Sequence, residues 1–264
     1  MAINLPEILR FPKMIFGFVQ GGVSVPMLGE ILFSKSIKPR NFVEDMRLFF
    51  KGQEVVIDGI ENIPKTGGGL IIINHPNLSI IFPAICKIPI AIKDQLKRDD
   101  VALLIGLRLK LIVNIDFPGS AKAIKRFFEF YPDHLLQVPG NRSAPDYETG
   151  RQRVKDEIQS RLEGGKLIIL SPEASISVSG SLLPTRSYRY GAGEVGVSTS
   201  ILDVPIIPTG IWLDNNIIKV KIGKPFYLPI TSIPKDAVIH MMGQVAKQIP
   251  DSLRGPYTIK PNTN

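Results

Sequence analysis

The sequence predicts an α/β fold in which a mixed, largely parallel sheet is covered by helices. Short apolar runs of strand length alternate with stretches of helical periodicity, an alternation typical of βαβ units. A chain of 264 residues with 44% hydrophobic content can also bury the core of one large domain. The predicted strands cover Glu54 to Ile57, Leu70 to Ile73, Ile88 to Ile92, Leu135 to Val138, Leu167 to Leu170, Val204 to Ile207 and Ile217 to Ile222.

The clearest predicted helix runs from Gly150 to Glu163. Apolar residues recur on one of its faces, and the Gly164-Gly165 pair predicts where it ends. The recurring residues are Val154, Ile158 and Leu162.

The N-terminal residues 1–50 are predicted to form an apolar and basic arm, followed by one domain over 51–255 and a flexible tail over 256–264. Met14 to Gly29 carries no charge, but glycines and a proline interrupt it and it is too short to span a bilayer. Basic residues flank the run, so it is predicted either to lie on an anionic membrane or to pack on the core. The flanking residues are Arg10, Lys13, Lys35, Lys38 and Arg40.

A second segment allows the same two interpretations. Lys122 to Tyr131 combines aromatic and basic residues, which suits either a helix at a membrane interface or a helix with one face in the core.

Charge and cysteine content limit the partners. A net charge of +8 favours phosphorylated substrates, acidic lipid or nucleic acid. Because the basic residues are scattered and no nucleic-acid-binding motif occurs, we expect no nucleic-acid partner. Cys86 is the single cysteine, so we expect neither a disulfide nor a cysteine metal site. No signal peptide is apparent, and we expect a membrane-associated protein on the cytoplasmic face.

The apolar strand that ends at Asn74-His75 is the first block of sequence that could carry a catalytic residue. A histidine at the carboxyl end of a strand lies where open α/β sheets bind ligands, and its imidazole can act as a general base near neutral pH. A structural histidine held in a loop fits the same pattern. His134 and His240 lack such a setting and are predicted to be structural.

Glu173 heads a second block, in which the strand ending at Leu170 runs into a short polar loop. If the two strands are neighbours, His75 and Glu173 meet at one edge of the sheet. An ordinary Pro-Glu turn is the alternative.

Two further strand ends, Leu135 to Arg142 and Val204 to Ile211, complete a series of four blocks. Their order and spacing, from about Gly52 to Phe226, resemble the four motifs of the lysophosphatidate and glycerol-phosphate acyltransferases.

The match to that family is incomplete. Asn74 and His75 fit the first motif, but Ile80 stands where the family has Asp. Arg142 fits the second motif and Val204 to Pro208 the fourth. The third motif, Phe-Pro-Glu-Gly-Thr-Arg-Ser, reads Ser171-Pro172-Glu173-Ala174-Ser175-Ile176-Ser177 here.

The resemblance implies an acyltransferase in which His75 deprotonates an acceptor hydroxyl that attacks acyl-CoA or acyl carrier protein. The acceptor would be a lysolipid or a polyol phosphate, with no metal and no bound cofactor. Since Ile176 replaces an Arg that binds phosphate in the family, Arg186 and Arg189 are candidates to compensate. The predicted substrate-binding residues are Asn74, Arg142, Glu173, Ser175 and Arg186.

Without the Asp, either a backbone carbonyl or another carboxylate must orient His75, or the chain is weakly active or inactive. The alternatives are therefore a non-catalytic lipid-binding relative and a hydrolase that releases acyl groups to water.

Gly191 to Gly196 fits the G-x-G-x-x-G pattern of dinucleotide binding, but a polar basic stretch precedes it instead of a buried strand. We interpret it as the start of a small-residue helix packed closely on the sheet.

Overall fold

A computed structural model describes residues 38–49, 54–105, 128–139, 145–173, 175–184 and 190–257. The strands are β1 (Val55–Asp58), β2 (Gly69–Ile73), β3 (Val101–Ile105), β4 (Leu135–Gln137), β5 (Leu167–Leu170), β6 (Ile206–Asp214) and β7 (Ile217–Ile222). The α-helices are α1 (Phe42–Phe49), α2 (Leu78–Leu96), α3 (Tyr147–Glu163), α4 (Gly191–Ile201) and α5 (Pro234–Ala246). Short 3₁₀ helices occupy Ile60–Asn62, Asp251–Leu253 and Gly255–Tyr257.

These strands form one sheet in the order β1-β7-β6-β2-β5-β3-β4. The β6–β7 pair is antiparallel, and the other neighbouring pairs are parallel. The predicted mixed, largely parallel sheet is therefore confirmed. The strands β2 and β5 are buried along their whole length, because helices cover both faces of the sheet there.

Alternation along each strand divides the core into two layers. Ile71 and Ile73 of β2 pack on the side of α1 and α2, whereas Leu70 and Ile72 pack on the side of α3, α4 and α5. This arrangement leaves the carboxyl ends of the central strands between two helical layers.

One strand prediction is wrong. Residues 88–92 lie inside α2, although Ile88-Pro89-Ile90 alternates like a strand. Buried apolar residues recur every fourth position along α2, and this helical period decides the conformation even with Pro83 and Pro89 inside the helix. The recurring buried residues are Ile80, Ala84, Ile88 and Ile92.

Two other strands differ from the prediction in extent. The strand β3 was not predicted, because the apolar run that contains it is as typical of a helix as of a buried strand. The strand predicted over Val204 to Ile207 instead spans Ile206–Asp214. Its first half pairs with β2, and its second half pairs with β7 alone.

The predicted helix over Gly150 to Glu163 is confirmed and begins three residues earlier, at Tyr147. After it, Gly165 adopts a φ of 79°, a left-handed conformation that favours glycine. The chain then turns directly into β5.

Most of the predicted arm lies outside the described residues, including Met14 to Gly29. Its described end, α1, packs on the core through Phe42 and Met46, and the Arg40 guanidinium donates to the buried Asp45 carboxylate at 2.6 and 2.8 Å. Among the described residues, no helix combines the length and apolarity needed to cross a bilayer.

Only the end of the aromatic segment predicted over 122–131 is described. There Phe128, Phe130 and Tyr131 are buried in the core layer beside α2. For these residues the interpretation as a core-facing segment is confirmed.

The glycine-rich helix start forms α4, but its closest approach is to α5 and not to the sheet. A Cβ on Gly193 would lie 1.9 Å from the carbonyl oxygen of Pro234, and one on Gly196 would lie 2.5 Å from Sδ of Met241. These glycines are therefore explained by helix-to-helix packing.

Candidate functional site

The carboxyl ends of β2 and β5 lie side by side at one edge of the sheet. The strands are parallel, and Ile72 is in register with Leu170. His75 follows β2 and Glu173 follows β5 within three residues, so the two predicted residues reach the same edge.

Glu173 is only 6% exposed, and its carboxylate binds two separate parts of the backbone. Oε2 accepts a hydrogen bond from the N–H of His75 at 2.5 Å, and Oε1 accepts one from the N–H of Leu183 at 2.7 Å. A carboxylate can accept both bonds at once. In this arrangement, Glu173 fixes the backbone that carries the imidazole.

The loop after Glu173 holds the other side of the His75 backbone. The N–H of Ser177 donates to the carbonyl oxygen of His75 at 2.8 Å, and Ser177 itself is only 2% exposed. Sequence reasoning did not select Ser177 as a site residue. The only signal was its match to the last Ser of the third motif, because a contact through the backbone leaves no mark on residue type.

The imidazole of His75 lies with Nδ1 3.2 Å from the carbonyl oxygen of Pro76. A carbonyl oxygen only accepts, so this contact requires the proton on Nδ1 and leaves the Nε2 lone pair available. Burial lowers the pKa of His75, and the hydrogen bond to Pro76 opposes this shift in part. The neutral imidazole, which is the form a general base needs, is therefore favoured near pH 7.

Ile80 occupies the first turn of α2, at the position where the resembled family has Asp. Its side chain is only 7% exposed and packs in the core layer beside α2. A carboxylate is thus absent from this position, and among the described residues Nδ1 of His75 contacts the Pro76 carbonyl. The sequence left open whether a backbone carbonyl or another carboxylate orients His75. The contact observed here is with a backbone carbonyl.

Asn74 is 1% exposed, and its side chain is bound to the backbone of β6. The amide donates to the carbonyl oxygen of Ile211 at 2.8 Å, and Oδ1 accepts from the N–H of Ile211 at 2.7 Å. Asn74 therefore extends the contact between β2 and β6 beyond the end of β2. Its predicted part in substrate binding stays a prediction, while the geometry gives it a positioning role.

Among the described residues, no contact assigns a role to the remaining predicted site residues. Arg142, Arg186 and Arg189 lie outside the described residues, so their predicted contact with a phosphate stays a prediction. Ser175 is half-buried in the loop after Glu173, where the neighbouring Ile176 is 36% exposed.

The other two histidines, which the sequence predicts to be structural, each have a partner of their own. His134 is buried with Nδ1 3.0 Å from the carbonyl oxygen of Val101, and His240 stacks on Phe226 with ring centroids 5.4 Å apart. Within the described part of the chain, no cluster of His, Cys, Asp and Glu side chains could hold a metal ion.

Comparison with protein-family models gives no match, and comparison with curated proteins gives none either. Among solved structures, the chain is similar to the 1-acyl-sn-glycerophosphate acyltransferase PlsC of Thermotoga maritima. The TM-score is 0.45 at 18% identity, over 88% of this chain and 85% of that chain. A likeness at this level does not support a function for the chain.

Proposed function

We propose that the protein is an acyltransferase that moves a fatty acyl group from a thioester donor to a hydroxyl of a lipid or polyol acceptor, with His75 as general base. The observation that carries the proposal is the hydrogen bond from the His75 N–H to the Glu173 carboxylate, at 2.5 Å. It joins the blocks that resemble the first and third acyltransferase motifs. Two segments that lie far apart in the sequence and resemble motifs of one family therefore contact each other in the structure.

In the proposed reaction, Nε2 of His75 accepts the proton of the acceptor hydroxyl. The hydroxyl oxygen attacks the thioester carbonyl carbon, a C–O bond forms, and the C–S bond breaks. The imidazolium then returns its proton to the departing thiolate. The products are an ester and a free thiol, and His75 ends in its starting protonation state.

Within the part of the chain that the structure describes, three hydrogen bonds hold His75 for this step. Glu173 and Ser177 fix its backbone N–H and C=O, and the carbonyl of Pro76 holds Nδ1. A base held in this way loses little orientational freedom when the acceptor arrives. The Pro76 carbonyl is uncharged, so it stabilises the imidazolium less than a carboxylate would, and we expect slower turnover than with an Asp partner.

The donor is proposed to be acyl-CoA or acyl carrier protein, and the acceptor a lysophospholipid or glycerol phosphate. Arg142 and Arg186 remain the proposed contacts for an acceptor phosphate, because a guanidinium binds phosphate with two hydrogen bonds. Acyl-CoA and a lysophospholipid are both amphipathic, which fits the proposed association with the cytoplasmic face of a membrane.

A non-catalytic lipid-binding protein with the same fold is the second candidate. The buried Ile80 favours it, because that position carries the orienting carboxylate in the resembled family. The two candidates differ in whether the ester product appears.

The test is to incubate purified protein in detergent with isotope-labelled acyl-CoA and a panel of lysolipids and polyol phosphates. Mass spectrometry then measures labelled ester and free CoA together. Equal amounts of both support transfer, and CoA without ester indicates hydrolysis. If neither forms with any acceptor while a lysolipid still raises the Tm, the lipid-binding candidate replaces the enzyme.

A further inference from the structure

The loop over residues 175–184 connects the candidate site to residues 250–257, here called the 3₁₀ segment because it contains two short 3₁₀ helices. Two adjacent amide groups of the loop form the connection. The N–H of Leu182 donates to the carbonyl oxygen of Leu253 at 2.8 Å, and the N–H of Leu183 donates to Oε1 of Glu173 at 2.7 Å. Two consecutive residues therefore join the 3₁₀ segment to the carboxylate that binds the His75 N–H.

Leu182 is enclosed between the core and the 3₁₀ segment. Its side chain is buried and packs in the layer of α3, α4 and α5. Its carbonyl oxygen lies so close to Gly255 that a Cβ on that residue would be 2.3 Å away. Gly255 has a φ of 52°, so its backbone conformation and the space beside it both favour glycine. This close contact fixes the position of Leu182 relative to the 3₁₀ segment.

The 3₁₀ segment is itself attached to the end of α5. Nε of Arg254 donates to the carbonyl oxygen of Ala246 at 2.8 Å, and the Arg254 guanidinium lies 2.8 Å from the Asp251 carboxylate. Leu253 and Tyr257 pack partly against the same core layer as Leu182. The segment is therefore a fixed support against which the loop can be held.

The loop reaches the backbone of His75 by two routes. The N–H of Ser177 donates directly to the His75 carbonyl oxygen at 2.8 Å. The N–H of Leu183 acts indirectly, because it shares the Glu173 carboxylate with the N–H of His75. The position of the loop is thus coupled to the position of the imidazole.

We propose that the 3₁₀ segment positions His75 through Leu183 and Glu173, and that Gly255 sets how closely the loop approaches the segment. If Leu182 is displaced, the adjoining Leu183 N–H moves away from Glu173, and the carboxylate holds the His75 N–H less firmly. Gly255 is a positioning residue in this scheme, at a distance from the reacting atoms. The scheme rests on the proposed function only for the part that His75 plays in catalysis.

The variant Gly255→Ala tests the proposal in the full chain, with Gly193→Ala as the matched control. Each adds one methyl group against a backbone carbonyl oxygen, but the methyl at position 193 meets Pro234 in place of the loop. Exchange of single amide hydrogens, followed by NMR, measures local opening. The His75 N–H should exchange about tenfold faster in Gly255→Ala than in Gly193→Ala. The Ile211 N–H, which is bonded to Asn74, should exchange at similar rates in both variants.

A double-mutant cycle with Glu173→Gln tests whether the effect passes through Glu173. In the Glu173→Gln background, Gly255→Ala should add little to the exchange of the His75 N–H. Where the wild-type protein transfers acyl groups, Gly255→Ala should also lower kcat severalfold, and again add little to the loss caused by Glu173→Gln. If Gly255→Ala does not fold, Arg254→Gln takes its place, because it loosens the 3₁₀ segment without adding a methyl group.

Equal exchange of the His75 N–H in the position 255 variant and in Gly193→Ala would overturn the proposal. Additive effects in the double-mutant cycle would overturn it as well, since they would show that the 3₁₀ segment acts independently of Glu173. The exchange measurements need no substrate. A protein without acyl transfer that still shows the selective, non-additive exchange at His75 would therefore contradict the proposed function and support the positioning by the 3₁₀ segment.

Discussion

The backbone N–H of His75 donates a hydrogen bond to Oε2 of Glu173 over 2.5 Å, across 98 positions of the sequence. The contact exists because β2 and β5 are parallel neighbours, so that the segments following them meet at one edge of the sheet. It makes Glu173 a positioning residue, since its carboxylate binds backbone on two sides and fixes where the imidazole stands.

Glu173→Gln is expected to loosen the site. A glutamine offers a single acceptor oxygen, so either the His75 N–H or the Leu183 N–H faces an amide NH₂ in place of an acceptor. Loss of one hydrogen bond to a charged group costs about 1.5–3 kcal/mol, and a 1 Å displacement of a catalytic group costs about 100-fold in rate. Thermal melts and kcat measure both effects.

The matched control for this variant is Glu163→Gln, on the exposed end of α3, where the side chain accepts one bond from Gln159. The control is expected to keep the wild-type Tm and kcat. A Glu173→Gln protein indistinguishable from this control would show that the carboxylate does not position His75.

Asn74→Asp is expected to destabilise the junction of β2 and β6. The carboxylate accepts the Ile211 N–H but cannot donate to the Ile211 carbonyl, and a charge is placed at a site that is 1% exposed. An unsatisfied buried group costs about 1–3 kcal/mol, and the charge adds to this. Chemical denaturation measures the change.

Asn77→Asp serves as its comparison. Asn77 precedes α2, and its Oδ1 accepts from the Ser79 hydroxyl, a bond that an aspartate retains. Similar unfolding free energies for the two variants would contradict the positioning role of Asn74.

The strand ends of the candidate site could be predicted from the sequence, and their hydrogen bonds could not. Four apolar residues before Asn74-His75 and before Ser171 are a strong signal for buried strands, and parallel order brings their ends together. The contacts of His75 with Pro76 and Ser177 run through backbone atoms, which residue type does not encode. The roles assigned to the arginines stay predictions.

The error at residues 88–92 has a specific physical cause. An apolar helix such as α2 is buried on most of its surface, so its polar residues do not mark a 3.6-residue period. Local alternation at Ile88-Pro89-Ile90 then resembled a strand. The same ambiguity explains why β3 was not predicted. Its five residues are all apolar, so no polar residue indicates whether the period is that of a strand or of a helix.

The pH dependence of catalysis is expected to follow His75. Its pKa in the folded protein is lowered by burial from the ordinary value of about 6.5, and only the neutral form accepts a proton. The rate should therefore hold down to pH values below about 6.5 and fall as pH drops through the lowered pKa. A pH profile of kcat/KM measures this limb, and His240→Gln should leave it unchanged.

The same shift has a consequence for stability. Because the unfolded chain binds the proton at a higher pH than the folded protein, the unfolding free energy should decrease as pH falls below about 6.5 and through the folded pKa of His75. The variant His75→Gln should lose this component. An unchanged pH dependence of unfolding in that variant would contradict a lowered pKa.

Packing of α4 on α5 predicts opposite effects for two glycine substitutions. Gly193→Ala places a Cβ 1.9 Å from the Pro234 carbonyl oxygen, and the resulting backbone shift should cost about 1–3 kcal/mol. Gly243, inside α5, has open space around its Cβ position, so Gly243→Ala should stabilise the protein by about 0.5–1 kcal/mol. Denaturant unfolding compares them, and effects of the same sign would contradict the packing account.

The most direct test of His75 as the base is the rate of ester formation by His75→Gln, measured with isotope-labelled acyl-CoA and the best acceptor of the wild-type protein. Glutamine retains polarity but cannot accept the proton, so the account predicts a rate about 100-fold or more below that of wild type, with the Tm little changed. His240→Gln, on the exposed face of α5, should keep the wild-type rate. Ester formation by His75→Gln at a rate close to that of His240→Gln would contradict the account.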